Sequence, residues 1–432
     1  MERELISRES IKPSKPTPCH HRIHHLSFID HIVARNYIPA IYFYPNNKEE
    51  DVTTKISRLK KSLSKVLTIY YPFAGTYRDQ RSIHCNDRGV TFLVSTVKTN
   101  LSYILNNPSE SLLNPLFPDG LQWKDMGSDA TILAIQINRF SCGGIAIAVC
   151  LSHKLGDGST LFNFVNDWAT INRTNNQLPF PPDLVAGSSL FPQEDLPVFP
   201  EISFTKQNTV CARLVFEGSK IESLKEMVKS NGVVNPSRVE VVIGMIYKRA
   251  VSALGLGGNV NAPLLLVAAN LRRRMVPPLP EKSIGNWVWS FPVVSKKKEE
   301  GAGLHELVEE TREGLSELCE KSVKKFGDKE FVIEFLRKAT TARRSSPIGS
   351  EKRVFFFASW CRVPTYEVDF GWGKAAWVTS VGSPVKNSVV LMDAKDGNGV
   401  EALVSMEEQD LVVFQRDFEL LQYASINPKV HA

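Results

Sequence analysis

The 432-residue sequence contains no apolar run that approaches the roughly 20 residues needed to span a bilayer. Its most apolar stretch, 143–152, ends at a polar turn. The first residues carry acidic side chains among prolines; they lack the apolar core of a signal peptide and are unlike an Arg-rich transit peptide. These absences exclude membrane insertion and predict a cytoplasmic protein.

Cysteine is also scarce, since the chain has seven cysteines and no C-x-x-C pair. The odd number and the absence of such a pair fit reduced, mostly buried thiols, so neither a disulfide framework nor a zinc site is predicted. Four histidines lie close together near the N-terminus, namely His20, His21, His24 and His25. We expect these histidines to be surface or packing residues without a bound metal.

Extremes of charge and composition are missing as well. The formal net charge is +6, and the basic residues are spread along the chain, unlike the clustered basic face of a nucleic-acid-binding protein. Hydrophobic residues make up 43% of the chain, which excludes a disordered protein. A chain of this length exceeds the size at which one hydrophobic core usually keeps growing, and two domains are therefore expected.

Segments with the periodicity of strands and of helices alternate along both halves of the chain, which is compatible with related architectures in the two halves. Residues 51–68 and 158–170 carry apolar side chains at helical spacing. Between residues 178 and 200, prolines recur without a period, as in an extended connection. The predicted units are an N-terminal domain (1–185), a crossover linker (186–210) and a C-terminal domain (211–432).

The strongest local motif is H-x-x-x-D, formed by His153 and Asp157 in a turn that Gly158 follows. The turn stands between an apolar strand and a helix, a place from which a side chain can point outward. A neutral imidazole, with its pKa near 6.5, can take a proton from an alcohol, so His153 is a candidate general base. With nine histidines in the chain, the same spacing also arises by chance.

A second motif, Asp-Phe-Gly-Trp-Gly-Lys at 369–374, combines two glycines and two large aromatic residues. Its simplest interpretation is a tight turn with aromatic side chains packed around it. The kinase D-F-G motif is excluded, because the chain has neither a kinase glycine-rich loop nor an H-R-D partner.

A third segment, 270–280, has three arginines that lead into a proline-rich loop. Taken alone, it predicts a solvated loop. The arginines are Arg272, Arg273 and Arg274.

Together these motifs resemble those of the plant BAHD acyl-CoA-dependent acyltransferases. The similarity also includes Tyr-Pro-Phe-Ala-Gly at 71–75, Cys-Gly-Gly at 142–144 and Ser-Trp-Cys-Arg at 359–362, and it covers essentially the whole chain. The segment 270–280 and the Ser-Trp-Cys-Arg segment are most similar to the vinorine synthase branch of the family.

The resemblance implies two domains of chloramphenicol-acetyltransferase-like α/β fold with mixed sheets, and a solvent channel between the domains. His153 is expected midway along this channel, with acyl-CoA entering from one side and the alcohol from the other. Acyl-CoA is then a cosubstrate, and no permanently bound cofactor or metal is expected. The implied protein is a monomer without a nucleic-acid partner.

The resemblance also assigns roles to residues. His153 is expected to be the catalytic base, and Asp157 is expected to pair with Arg272 and support the site, together with Gly158, Gly371 and Gly373. Asp369 is carried as a second catalytic candidate, although a structural role is favoured for it. Trp372 is the candidate for stabilising the oxyanion. The expected coenzyme A contacts are Ser237, Arg238, Arg273 and Arg274.

The expected reaction is acetyl transfer from acetyl-CoA to a hydroxyl of an alkaloid or terpenoid. Residues 283–287 depart from the segment usual in malonyl-transferring relatives, which disfavours a malonyl donor. Two alternatives stay open: hydroxycinnamoyl or benzoyl transfer to an alcohol or amine, and an inactive relative that binds a metabolite or a partner protein.

Overall fold

The computed structural model describes residues 1–47, 50–123, 130–175, 178–193, 208–255, 263–294, 302–326, 328, 330–335, 337–338 and 354–431. Residues 194–207 of the predicted linker lie outside these ranges. In the described part of the chain, no helix is both long and apolar enough to cross a membrane.

The strands, in chain order, are β1 (Arg3–Ile11), β2 (Ile23–His25), β3 (Tyr37–Tyr44), β4 (Thr76–Tyr77), β5 (Ser82–His84), β6 (Val90–Val97), β7 (Leu133–Phe140), β8 (Ile145–Ser152), β9 (Val210–Phe216), β10 (Leu264–Asn270), β11 (Val288–Val293), β12 (Val354–Ser359), β13 (Trp377–Thr379), β14 (Ser388–Asp393), β15 (Val400–Met406) and β16 (Ser425–Ile426).

The helices are α1 (Phe28–His31), α2 (Val52–Ile69), α3 (Leu101–Asn106), α4 (Glu110–Leu113), α5 (Gly158–Thr174), α6 (Ala186–Leu190), α7 (Gly218–Ser230), α8 (Arg238–Ala253) and α9 (Leu304–Lys321), followed by Glu408–Phe414 and Phe418–Leu421.

Two large mixed sheets dominate the structure. The first has the strand order β1-β6-β7-β8-β3-β13, and the second has the order β11-β10-β12-β14-β15-β9-β16. Each combines parallel and antiparallel pairs, such as parallel β6 and β7 in the first and parallel β10 and β12 in the second. A small third sheet has the order β2-β5-β4. The expected α/β fold with mixed sheets is confirmed.

The strand that leads to the H-x-x-x-D turn is central in the first sheet. Every residue of β8 is buried, which explains its nearly unbroken apolar sequence, because both faces of the strand are covered. Helices α2 and α5 pack together through their apolar sides, and the Nε1 of Trp168 donates to the backbone oxygen of Leu59 at 3.3 Å. The second sheet forms a separate core with α7, α8 and α9.

The later part of the chain returns to the first sheet. Strand β13 pairs with β3, with Trp377 opposite Phe43. Phe370 and Trp372, which precede β13, belong to the same apolar core as α2 and α5. The motif at 369–374 was assigned by sequence to the C-terminal domain, but it packs within the first half because the chain crosses over to complete that sheet.

Candidate active site

His153 follows directly on the last residue of β8, and its backbone is held from two sides. Its N–H donates to the backbone oxygen of Asn36 at 2.8 Å. Its carbonyl oxygen accepts from the Nδ2 of Asn286 at 2.7 Å. Asn36 precedes β3, whereas Asn286 comes from the second half of the chain. The two halves therefore meet at this histidine.

The imidazole of His153 is half-buried, and its two nitrogens differ. Nδ1 is buried without a hydrogen-bond partner in the described structure, whereas Nε2 is not among the buried atoms without a partner. Burial lowers the pKa of His153 below its usual value, although nearby backbone groups, the charge of Asp157 and the side chain of Asn286 oppose that effect. The ring is therefore neutral near physiological pH, with Nε2 as the nitrogen that a substrate can reach.

Asp157 is buried, with 2% of its surface exposed, and its carboxylate is used by groups other than His153. Oδ1 accepts from the backbone N–H of Thr160 at 2.9 Å, which caps the N-terminus of α5. Oδ2 accepts from the backbone N–H of Trp287 at 3.0 Å. Burial raises the pKa of Asp157, but the guanidinium of Arg272 and the backbone N–H groups of Thr160 and Trp287 together bring it below its ordinary value.

Arg272 is completely buried and forms a two-point ion pair with Asp157. Its Nη1 lies 2.7 Å from Oδ2 and its Nη2 lies 3.0 Å from Oδ1. The same guanidinium donates to the backbone oxygens of Ser283 and Gly285. Arg272 thus connects the turn after β8 with the segment 283–287, which is the pairing expected for it.

Gly158 is required by a close approach from the second half of the chain. A Cβ at this position would lie 2.5 Å from the Nε1 of Trp360. No side chain larger than hydrogen fits there unless the indole moves.

The structure separates Asp369 from His153. The Oδ1 of Asp369 accepts from the backbone N–H groups of Gly371 at 2.7 Å and Gly373 at 3.0 Å, and its Oδ2 lies 3.6 Å from Arg173. Arg173 is in the last turn of α5, while His153 precedes the first turn, so the helix alone sets them about 22 Å apart. The assignment of Asp369 as a catalytic residue was therefore wrong: it closes its own turn.

Trp372 lies at the same distant end. Its ring packs edge-on against Tyr44 and below the guanidinium of Arg58, at centroid distances of 6.1 Å and 5.2 Å. Tyr44 pairs with Ile145 at the start of β8, whereas His153 follows its end, a separation of about 23 Å along the strand. Trp372 cannot contact an oxyanion at His153, and the oxyanion assignment was wrong.

The backbone conformation of this turn explains why it contains two glycines. Gly371 and Gly373 adopt φ values of 100° and 99°, in the region that residues with a Cβ avoid. They let the chain fold tightly around the carboxylate of Asp369, so their support is local to that turn.

Two of the expected coenzyme A contacts are occupied in structural roles. The hydroxyl of Ser237 accepts from the N–H of Glu240 at 3.2 Å and caps α8. Arg238 pairs with Asp393 at 3.1 Å. Arg238 also faces a pocket that contains the carboxylates of Glu217, Glu222 and Asp396. These negative charges oppose a phosphate, so the structure does not support Ser237 and Arg238 as phosphate contacts.

The other two candidates differ from each other. Arg274 donates through Nη1 to the backbone oxygen of Asn270 at 2.6 Å. The side chain of Arg273 is 70% exposed and pairs only with the exposed Glu281 among the contacts described. Arg273 is therefore the candidate that a ligand can engage most readily.

Sequence reasoning did not identify Asn286 and Asp30. The Oδ1 of Asp30 accepts from both the backbone N–H and the Nδ2 of Asn286, at 2.7 Å and 2.9 Å. The signal for Asp30 was the capping box that it forms with Ser27 at the start of α1, a Ser-x-x-Asp pattern visible in the sequence. For Asn286, the glycine before it was the only local signal.

A family model described as the Transferase family matches residues 1–421. The chain is 37% identical to a 17,18-epoxy-17-hydroxycur-19-ene N-malonyltransferase from Strychnos nux-vomica, over 98% of this chain and 90% of that protein. It is 35% identical to a limonoid 1-O-acetyltransferase from Citrus sinensis, over 99% of both. The crystal structure of vinorine synthase superposes with a TM-score of 0.85 at 32% identity, covering 98% of this chain and 99% of that one.

Proposed function

This chain belongs to the Transferase family of plant BAHD acyl-CoA-dependent acyltransferases, and from that premise we propose that His153 is the general base for acetyl transfer to a metabolite hydroxyl. The protein is an acyl-CoA-dependent O-acyltransferase. The observation that carries the proposal is the half-buried imidazole of His153, whose pKa burial lowers and whose backbone is fixed by both halves of the chain.

The proposed mechanism needs one side chain to move the proton twice. Nε2 of His153 takes the proton of the acceptor hydroxyl while the oxygen attacks the thioester carbonyl, and a C–O bond forms. The tetrahedral intermediate collapses, the C–S bond breaks, and the imidazolium returns the proton to the sulfur. Both substrates are bound together, so no acyl-enzyme is formed.

The proposed donor is acetyl-CoA. The name of the Citrus relative supports it, because that enzyme transfers an acetyl group to a limonoid oxygen. The Strychnos relative, whose name states malonyl transfer to nitrogen, makes malonyl-CoA a second donor to test. Hydroxycinnamoyl-CoA and benzoyl-CoA complete the panel.

The proposed partners are acyl-CoA and a small hydroxylated alkaloid or terpenoid. We propose Arg273 as a contact for a coenzyme A phosphate, since its guanidinium is exposed at the start of the loop that leads from Arg272. A cytoplasmic monomer and the domain boundaries at 185 and 210 remain parts of the proposal.

The decisive experiment replaces His153 with Ala. We expect turnover to fall by about 10²–10⁴-fold, the usual worth of a general base. The melting temperature should change little, because the backbone of residue 153 keeps its hydrogen bonds to Asn36 and Asn286 in the variant. Full activity in H153A would overturn the mechanism. Transfer from malonyl-CoA or coumaroyl-CoA, but not from acetyl-CoA, would replace the donor.

A further inference from the structure

Three buried polar atoms on residues joined at the His153 turn have no hydrogen-bond partner in the described structure. They are Nδ1 of His153, Oδ1 of Asn286 and Oδ1 of Asn36. His153 and Asn286 are neighbours, because Nδ2 of Asn286 donates to the backbone oxygen of His153 at 2.7 Å. A buried donor and a buried acceptor that both lack a partner each carry a cost in free energy, so their proximity calls for an explanation.

The orientation of the Asn286 amide follows from its neighbours. One atom of the amide lies between Oδ1 of Asp30 and the backbone oxygen of His153. Both neighbours accept hydrogen bonds and neither donates, so that atom must be the NH2 group. The other amide atom is therefore the oxygen Oδ1, which can accept a hydrogen bond from a donor at His153.

Asp30 fixes this amide in place. Its Oδ1 holds both the backbone N–H and the side chain of Asn286, while its Oδ2 is held by the backbone and hydroxyl of Ser27. Asp30 is 3% exposed, and burial raises the pKa of its carboxyl group, while the hydrogen bonds from Ser27 and Asn286 oppose that effect. Asp157, the carboxylate of the catalytic motif, is used by Arg272.

We propose that Asn286, anchored by Asp30, is the positioning residue that holds the proton of His153 on Nδ1 and leaves Nε2 free to act as the base. In hydrolase triads a carboxylate orients the histidine directly. Here Asp30 would do so through the amide of Asn286. The inference rests on the proposed function of His153.

The titration of His153 agrees with this arrangement. Burial lowers the pKa of His153, and its own backbone carbonyl, the charge of Asp157 and the Asn286 side chain oppose that effect. The direction of the Asn286 effect is the one expected of an amide oxygen that accepts a hydrogen bond from the ring.

The test is nitrogen NMR of the full-length protein with ring-labelled histidine, with the His153 signals assigned from their loss in His153→Gln. In the wild-type protein we expect protonated Nδ1 and unprotonated Nε2. Asn286→Ala should give a mixture of the two tautomers, and Asp30→Asn, the milder change, should shift the population in the same direction. Ser27→Ala is the matched control, because it removes a partner of Asp30 on the side away from Asn286, and the tautomer should stay as in the wild type.

Kinetics supply a second readout. Loss of the hydrogen bond that fixes the tautomer of a metal-binding histidine typically lowers metal affinity or activity about 10- to 100-fold. We expect a loss of kcat of that size in N286A, with the KM for acyl-CoA nearly unchanged. The proposal is overturned if wild-type His153 carries its proton on Nε2, or if N286A and D30N keep the wild-type tautomer. If H153A were fully active while N286A and D30N showed the expected tautomer shift, the catalytic role of His153 would be refuted. The positioning of its imidazole by Asn286 would still hold.

Discussion

Asp157 and Arg272 lie side by side in the protein interior and are joined by two hydrogen bonds, Nη1 to Oδ2 at 2.7 Å and Nη2 to Oδ1 at 3.0 Å. The carboxylate also receives the backbone N–H groups of Thr160 and Trp287. The carboxylate of Asp157 therefore accepts hydrogen bonds from several donors, and the imidazole of His153 is not one of them. The aspartate of the H-x-x-x-D motif holds the turn after β8 in shape.

This pair predicts a large effect on stability. Removing one member of a buried ion pair costs about 3–5 kcal/mol, because the other charge stays buried without its partner. Asp157→Ala and Arg272→Ala should each lower the free energy of unfolding by about that amount. In the double variant the loss should be clearly smaller than the sum, and urea unfolding of all four proteins measures this coupling. Normal stability of D157A combined with lost turnover would instead indicate a chemical role.

The position of Trp372 predicts that its indole N–H is dispensable for catalysis. Nε1 is buried and has no hydrogen-bond partner among the described residues, so Trp372→Phe removes the donor at little structural cost. We expect W372F to keep a kcat close to that of the wild type. Trp372→Ala should lower the free energy of unfolding by about 3–5 kcal/mol, since it leaves a cavity beside Tyr44. A hundredfold loss of kcat in a stable W372F would restore the oxyanion role.

The local elements were predicted well because their signals are local. Apolar spacing placed a helix at 51–68, and the structure has it at Val52–Ile69. The tight turn at 369–374 was also predicted. The location of this turn in the fold was not predicted. The distance from Trp372 to His153 depends on which end of β8 lies beside the segment 369–374.

The contacts around His153 were beyond the sequence for the same reason. Asp30 and Asn286 are separated by 256 positions, and neither stands in a pattern that indicates the other. Asp157 and Arg272 were paired only because a family resemblance suggested it. Buried polar partners are selected by the assembled fold, and hydrophobic periodicity carries no information about them.

Arg273 predicts a binding effect without a chemical one. Its guanidinium is exposed and pairs with Glu281 on the surface. If it contacts a phosphate of coenzyme A, Arg273→Ala should raise the KM for acyl-CoA several-fold and leave kcat unchanged, and the effect should shrink in high salt. Steady-state kinetics at two ionic strengths measure this. Glu281→Ala is the matched control, because it frees Arg273 and should not raise that KM.

His24 predicts a fall in stability on acidification. It is 8% exposed in the small third sheet, and burial, with a smaller contribution from His25, lowers its pKa to about 4.

In the unfolded chain a histidine has a pKa near 6.5, so between about pH 6.5 and about pH 4 the unfolded state binds a proton that the folded state refuses. The stability linked to His24 is therefore fully present above that window, falls as the pH drops through it and is lost below it. Between about pH 7 and about pH 5, the free energy of unfolding should fall by about 2 kcal/mol. Urea unfolding of His24→Asn at both pH values should show a pH dependence weaker by that amount. His25→Asn, an exposed neighbour on the same strand, should keep most of the wild-type dependence, because His25 makes the smaller contribution to the pKa of His24. An equal slope in H24N and in the wild type would contradict the assignment, because the remaining loss would then have to come from other groups such as His153, whose pKa burial also lowers.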